Sequence, residues 1–251
     1  MEIFILAFFT LGYLVLAGAD IGVGMLLPYL GRSGGERREV IAAIAPFFLG
    51  NEVWLVATAG VLAGMFPELE AELLHGNYGP VVVLLVSWVV RDVGLWLRGR
   101  LPGERWRLCW DGAVVAGSWG LALSWGALLG HVLLGLSGPI AALPALVLSA
   151  LVLSALFAVH GLAFATLRLR GELRRRAAVL SGGAGEARTY ALTAGALMVI
   201  GVLAGTRLPL DAGPTASLLT PVILTLLPLL VAAQAWVWWT FRHRVTGPSY
   251  L

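Results

Sequence analysis

Residues 18–55 read GADIGVGMLLPYLGR, SGGERREV and IAAIAPFFLGNEVWL, and this stretch decides the fold. It consists of two apolar segments joined by a short loop that carries arginine. Each apolar segment contains a carboxylate, Asp20 in the first and Glu52 in the second. A carboxylate inside a lipid-spanning helix is costly, so it normally faces protein or water and serves a purpose. The stretch therefore predicts a transmembrane hairpin with functional polar side chains, sheltered by the rest of the chain.

The composition extends this interpretation to the whole chain of 251 residues. Hydrophobic residues make up 59% and charged residues only 12%, about half the charge of a soluble domain. Apolar runs of about 18 residues or more recur throughout, each long enough to cross a bilayer. We therefore expect an all-α polytopic membrane protein forming a single integral-membrane domain over residues 1–251. The single Cys109 excludes an intrachain disulfide and a cysteine-based metal cluster.

The apolar runs predict a bundle of about seven transmembrane helices. The predicted spans are 3–29, 40–65, 79–97, 111–135, 139–168, 189–206 and 215–241, with a short LSGP turn (136–139) between the fourth and fifth. The first segment lacks a basic leader and a cleavage motif, so we expect a retained helix. The longest predicted loop is 171–188, and its SGGAGE stretch is expected to be flexible.

The arginines predict the orientation of these helices. Fifteen of the 17 fall in alternate loops and in the segment after the last helix. The second loop instead carries Glu68, Glu70 and Glu72 and no arginine. By the positive-inside rule the arginine-bearing side is cytoplasmic. The N-terminus is then outside and the C-terminus cytoplasmic, as seven crossings require.

Few ionisable groups lie within the predicted spans. Asp20, Glu52 and Arg91 all fall within roughly 9–18 Å of the cytoplasmic face, so we expect them to form an intramembrane cluster. Such a cluster can relay protons or act as a static clasp between helices, and the clasp is the more common role. Asp92 follows Arg91 directly, so the two side chains should point about 100° apart, leaving Asp92 to face a partner.

Catalytic and metal sites are not indicated in this chain. The four histidines form no His-x-x-x-His pair, and a lone histidine in an apolar helix is usually hydrogen-bonded. Haem ligation by His131 or His160 is the less favoured alternative. The sequence contains no phosphate-binding loop, dinucleotide fingerprint or nucleophile–base pair. The net charge of +3 reports membrane topology, and we expect no nucleic-acid partner.

Motifs along nearly the whole chain give it a specific resemblance. The hairpin segments GADIGVGMLLPYLGR, ERR, IAAIAP and GNEVWL resemble, in order and spacing, the start of subunit II of cytochrome bd quinol oxidases. Arg91 with Val93 and Gly94 is similar to that family's Arg-x-Val-Gly. The segments 104–119, 160–177 and 236–245 resemble later parts of the same subunit.

The resemblance implies a haem-free subunit within a respiratory complex of a bacterial or archaeal cell membrane. Subunit I of the family carries two b-type haems and one d-type haem and oxidises quinol, and small accessory subunits can join. Subunit II packs against subunit I and contributes to proton delivery from the cytoplasm toward oxygen reduction. The family fold has two four-helix bundles and a peripheral helix, so seven helices imply an incomplete second bundle. The matching family-motif residues are Asp20, Gly22, Gly24, Gly50, Asn51, Trp54 and Arg91.

Departures from the family pattern leave alternatives open. The family's Trp-Asp-Gly-Asn in the second helix is Phe48-Leu49-Gly50-Asn51 here, so Leu49 replaces a proton-path carboxylate. Glu52 is one candidate to replace it. The alternative is a diverged family member in a quinol-linked or scaffolding complex without normal oxygen reduction. A small secondary transporter ranks lower, because neither inverted repeats nor paired broken helices are evident.

Overall fold

The computed structural model describes residues 1–135, 143–183, 186–245 and 247. Within these ranges the chain forms ten helices and no strand. They are α1 (Glu2–Met25), α2 (Leu27–Leu30), α3 (Gly34–Met65), α4 (Pro67–Gly76), α5 (Tyr78–Leu97), α6 (Glu104–Leu134), α7 (Leu143–Arg168), α8 (Gly171–Leu180), α9 (Glu186–Gly205) and α10 (Ala216–Thr240).

Seven of the described helices are long and apolar enough to cross a membrane: α1, α3, α5, α6, α7, α9 and α10. This confirms the predicted all-α class and the number of spans. The predicted LSGP turn and the first residues of the predicted fifth span lie outside the described residues.

Helices α3 and α6 begin six or more residues earlier than the apolar pattern predicts, because local capping and polar residues extend them beyond the apolar run. Helix α3 begins at Gly34, where the Ser33 hydroxyl accepts from the Glu36 N–H and the Glu36 carboxylate accepts from the Ser33 N–H. This reciprocal capping satisfies two backbone donors that a helix start leaves unpaired. Helix α6 likewise begins at Glu104, seven residues before the predicted 111.

The first helix ends earlier than predicted. Helix α1 stops at Met25, and the chain turns at Leu26 before the four-residue helix α2. Pro28 explains this break, since proline lacks an N–H and its ring would clash with the Gly24 carbonyl if α1 continued. Two segments interpreted as loops are partly helical, as α4 and α8 show. The prediction of a loop across 171–188 was therefore wrong for 171–180.

Helix α1 lies at the centre of the bundle and packs against α3, α6, α7 and α9. Helix α5 packs along α6, which also packs along α7. Helix α10 packs mainly on α3 and leaves nearly all of its membrane-spanning surface exposed. Polar side chains on α1, α3 and α5 are thereby brought together, with α10 closing one side of α3.

The backbones of helices α1 and α7 are in contact at Gly22 and Gly161. A Cβ on Gly22 would lie 1.9 Å from the Phe157 carbonyl oxygen, and one on Gly161 would lie 2.4 Å from the Gly22 backbone. Real side chains cannot fit at either distance. The glycines therefore permit backbone contact between the two helices, as small residues do in membrane bundles.

Candidate functional site: a buried charge cluster

A buried ion pair between α1 and α5 forms the centre of the cluster. Arg91 Nη2 lies 2.7 Å from Asp20 Oδ1, and both side chains are about 2% exposed. Asp20 lies in the last turns of α1, and Arg91 lies two turns before the end of α5. The guanidinium carbon also lies 6.0 Å from the centre of the Phe48 ring on α3. A charge pair so fully removed from water and lipid needs such close partners to persist.

Glu52 and Asp92 lie on the other side of the same guanidinium. Arg91 Nη1 is 3.4 Å from Asp92 Oδ1 and 3.6 Å from Glu52 Oε1. Glu52 and Asp92 therefore face the same nitrogen of this guanidinium. Their side chains are 12% and 20% exposed, so this edge of the cluster is its most open part.

The structure thus brings the four candidate residues together, with the three carboxylates around the Arg91 guanidinium. The Asp92 carboxylate turns toward Arg91, although their adjacent positions in the helix predict side chains about 100° apart. Three carboxylates share one guanidinium, so the cluster has more acidic groups than its cation can neutralise. Glu52 Oε1 and Arg91 Nε are buried without a hydrogen-bond partner, and buried polar atoms usually have one.

A row of amides continues from Asp20 to α10. Asn51 Nδ2 donates to Asp20 Oδ2 at 2.9 Å and to the Leu16 carbonyl at 3.0 Å. Gln234 Nε2 on α10 donates to Asn51 Oδ1 at 3.0 Å, and Gln234 Oε1 accepts from Trp54 Nε1 at 3.3 Å. Of the predicted motif residues, Asn51 therefore contacts the cluster directly, and Trp54 is linked to it through Gln234 and Asn51.

The motif glycines provide space around the cluster. A Cβ on Gly24 would lie 2.2 Å from the Ser118 hydroxyl, so this glycine lets α1 meet α6 closely. A Cβ on Gly50 would lie 3.3 Å from Gln234 Oε1, which is where α10 approaches α3. A Cβ on Gly117 of α6 would lie 2.7 Å from Arg91 Cβ and 2.6 Å from the Ser87 carbonyl oxygen, so Arg91 is seated against bare backbone.

A second charged network lies at the arginine-rich end of the bundle. Asp111 accepts hydrogen bonds from Arg98 and from Arg37, the latter at 3.2 Å. Arg37 Nε also donates to the Gly31 carbonyl, and Arg98 Nη2 donates to the Gly34 carbonyl. The network therefore ties the α2–α3 turn to the end of α5 and the start of α6.

Helix α8 joins this end of the bundle through Arg176. Its guanidinium contacts the two Glu36 carboxylate oxygens at 2.8 and 3.0 Å and the Leu30 carbonyl at 3.0 Å. Glu172 lies beside it on α8, where the hydrogen bond from Arg175 lowers the pKa of the Glu172 carboxyl. The ERR motif thus contributes to holding the loops together.

His160 does not fit a haem ligand in this structure. It is fully buried, with Nδ1 2.7 Å from the Thr193 hydroxyl, Nε2 2.9 Å from the Val15 carbonyl, and its ring stacked on Tyr190. Both ring nitrogens are therefore engaged, and an iron ligand must keep one free. Among the described residues, no three His, Cys, Asp or Glu side chains are grouped to hold a metal ion.

These features define a multi-pass helical membrane protein with a buried carboxylate–guanidinium cluster. The model of the family described as cytochrome bd terminal oxidase subunit II matches residues 1–245. The chain belongs to this cytochrome bd oxidase subunit II family.

Two curated relatives agree with this assignment. Cytochrome bd-I ubiquinol oxidase subunit 2 of Escherichia coli (strain K12) is 38% identical over 125 residues, covering 50% of this chain and 33% of the relative. Cytochrome bd ubiquinol oxidase subunit 2 of Bacillus subtilis (strain 168) is 34% identical over 185 residues, covering 69% and 54%. The chain therefore matches from one third to about half the length of these relatives.

Sequence reasoning missed two parts of the site. Gln234 is the one amide side chain in the apolar run of α10, and that was the available signal. Asp111 was noticed only as part of a motif, although an acid between arginine-rich loops is a natural partner for them.

Proposed function

We propose that this chain is the haem-free subunit II of a quinol-oxidising, oxygen-reducing membrane complex. Its membership in the subunit II family and the ubiquinol oxidase names of its relatives support this role. In the proposal, a haem-bearing subunit I with two b-type haems and one d-type haem carries out the electron transfer. This chain supports that subunit within the membrane.

We further propose that the cluster of Asp20, Glu52, Arg91 and Asp92 delivers protons from the cytoplasmic side. The observation that carries this proposal is that the Glu52 and Asp92 carboxylates both lie within 3.6 Å of Arg91 Nη1. Two ionised carboxylates placed this close repel each other, which favours a proton on one of them. The pair is thus a natural place to hold a proton.

The geometry supports a direction for that proton. Glu52 and Asp92 form the more open edge, whereas Asp20 is enclosed. The pair is proposed to receive a proton and pass it along the cluster. The fixed positive charge of Arg91 stabilises the carboxylates when they are ionised. Leu49 occupies the position of the family's carboxylate and is 48% exposed, so Glu52 and Asp92 would provide the acidic groups instead.

The oxidase part of the proposal is tested by isolating the chain from its native membrane with its partners. Bands of haem b and haem d in the reduced-minus-oxidised spectrum, with quinol-dependent oxygen uptake, are expected. Haem b alone without oxygen uptake would instead indicate a diverged quinol-linked complex. A haem-free preparation without an attached subunit I would overturn the proposal.

The proton-delivery part is tested with Glu52→Gln and Asp92→Asn. Each variant is expected to assemble normally but to reduce oxygen more slowly, because an amide cannot carry the transferred proton. Glu104→Gln, at the exposed start of α6, is the matched control. Turnover at the wild-type level in both variants would leave the cluster as a static clasp between helices.

A further inference from the structure

Gln234 is the one strongly buried side chain in the membrane-spanning part of α10 apart from Ala216 at its start. The rest of this helix is largely exposed and carries no charged residue. A buried amide in such a helix must find hydrogen-bond partners, since an unmet polar group in lipid is costly. Gln234 finds both partners on α3, in Asn51 and Trp54.

The hydrogen bonds around Gln234 have a defined direction. The Trp54 indole can only donate, so it requires the Gln234 oxygen and leaves the Gln234 amino group for Asn51. Gln234 Nε2 then donates to Asn51 Oδ1, which leaves the Asn51 amino group facing Asp20. The opposite Asn51 orientation would set a carbonyl oxygen against the Asp20 carboxylate, which is repulsive.

We propose that Gln234 is a positioning residue that holds Asn51 in the orientation that donates to Asp20. Helix α10 thereby sets the hydrogen bonding of a carboxylate on α1 that it does not touch. This role rests on the proposed proton-delivery function of the cluster, because the hydrogen bond from Asn51 affects how readily Asp20 releases or accepts a proton.

Helix α10 has other attachments to α3, so the role of Gln234 is separable from docking of the helix. The Gly213 N–H donates to the Met65 carbonyl at 2.8 Å near one end. At the other end the Trp238 ring lies 5.0 Å from the Phe47 ring. Removing the Gln234 amide should therefore leave α10 in place while releasing Asn51.

The experiment compares Gln234→Leu, Asn51→Leu and the double variant in the purified complex. We expect each single variant to lower quinol-dependent oxygen uptake by about fivefold, and the double variant to lose no more than Asn51→Leu alone. Multiplication of the two effects would overturn the proposal, since Gln234 would then act independently of Asn51. Thr225→Val is the matched control, because the Thr225 hydroxyl donates to the Pro221 carbonyl of its own helix.

A second variant, Gln234→Glu, keeps the size of the side chain and should make turnover depend on pH. A role in helix docking alone does not predict this pH dependence. The protonated acid can donate to Asn51, whereas the ionised acid would attract the Asn51 amino group away from Asp20. The charged groups beyond Asn51 are Asp20, Glu52, Arg91 and Asp92. We expect the turnover of this variant relative to wild type to be preserved at low pH and lost as pH rises. A ratio of variant to wild-type turnover that stays constant across pH would contradict the proposal.

Failure of the proton-delivery function can be told apart from failure of this inference. The same variants are also compared by the thermal midpoint of the assembled complex. If Asp20→Asn leaves turnover unchanged, the delivery function fails, yet non-additive midpoint shifts for Gln234→Leu and Asn51→Leu would still support the positioning role. Additive midpoint shifts would overturn it.

Discussion

Arg91 Nη2 on α5 lies 2.7 Å from Asp20 Oδ1 on α1, although 71 residues separate them in the chain. The same guanidinium also faces Glu52 and Asp92, so one cation organises three carboxylates from three helices. Loss of this cation would leave acidic groups facing each other in a region of low polarity.

Arg91→Ala should greatly reduce the amount of assembled protein in the membrane. Breaking a buried charge pair from one side costs about 3–5 kcal/mol, since the remaining charge stays buried. The measurement is the yield of intact complex after mild detergent extraction. Arg100→Ala, at an exposed position beyond α5, should assemble normally. Wild-type yield for Arg91→Ala would show that the carboxylates do not need this cation.

Gly22→Ala should disrupt the contact between α1 and α7. The added methyl would lie 1.9 Å from the Phe157 carbonyl oxygen, so the helices must separate. Overpacking of this kind costs about 1–3 kcal/mol or more, and it should appear as a lower thermal midpoint.

The matched control for this prediction is Gly195→Ala in α9. A Cβ at Gly195 meets nothing within 4 Å, and alanine favours a helix over glycine. Its midpoint should be unchanged or slightly raised. Equal destabilisation by both variants would indicate a general effect of glycine replacement and would contradict the close-contact explanation.

Asp111→Asn should loosen the arginine-rich end of the bundle. It removes the carboxylate that Arg37 and Arg98 share, and Arg98 is 3% exposed. A destabilisation of about 3 kcal/mol is expected, seen as faster proteolysis of the adjoining loops. Glu104→Gln, in the exposed first turn of the same helix, should digest at the wild-type rate. Unaltered protection in Asp111→Asn would rule out a holding role for this network.

The predicted orientation can be checked with single cysteines placed in a Cys109→Ser background. Arg175→Cys on α8 should react with a membrane-impermeant thiol reagent only when the cytoplasmic face is accessible. Glu68→Cys on α4 should react only from the outside, because its loop is acidic. Both positions are exposed. The reverse pattern would overturn the topology inferred from the arginines.

The number of spans was readable from the sequence because membrane insertion depends on local properties. About 30 Å of hydrocarbon requires a long apolar run whatever its neighbours are, so each span could be counted separately. Boundaries were less well predicted where polar residues extend a helix into water, as the Ser33–Glu36 capping of α3 shows. Pro28 was visible, yet its effect on α1 was not anticipated.

The proximity of Asp20, Glu52 and Arg91 was expected from their depths, but the contacts within the cluster required the tertiary structure. Sequence position alone placed Asp92 away from Arg91, whereas the structure turns the two side chains together. Helix packing also decided that α10 would contribute Gln234, since nothing in a single helix specifies which neighbour a polar side chain meets.

The sequence by itself determined the helical class, the spans and the family, because these follow from local hydrophobicity and from motifs. Only the tertiary structure decided that α1 lies at the centre, that three carboxylates share Arg91, and that Gln234 orients Asn51. The physical reason is that hydrogen bonds and ion pairs between helices depend on rotation and crossing of each helix. Those are set by side-chain packing across the whole bundle, such as the contact between Gly22 and Gly161.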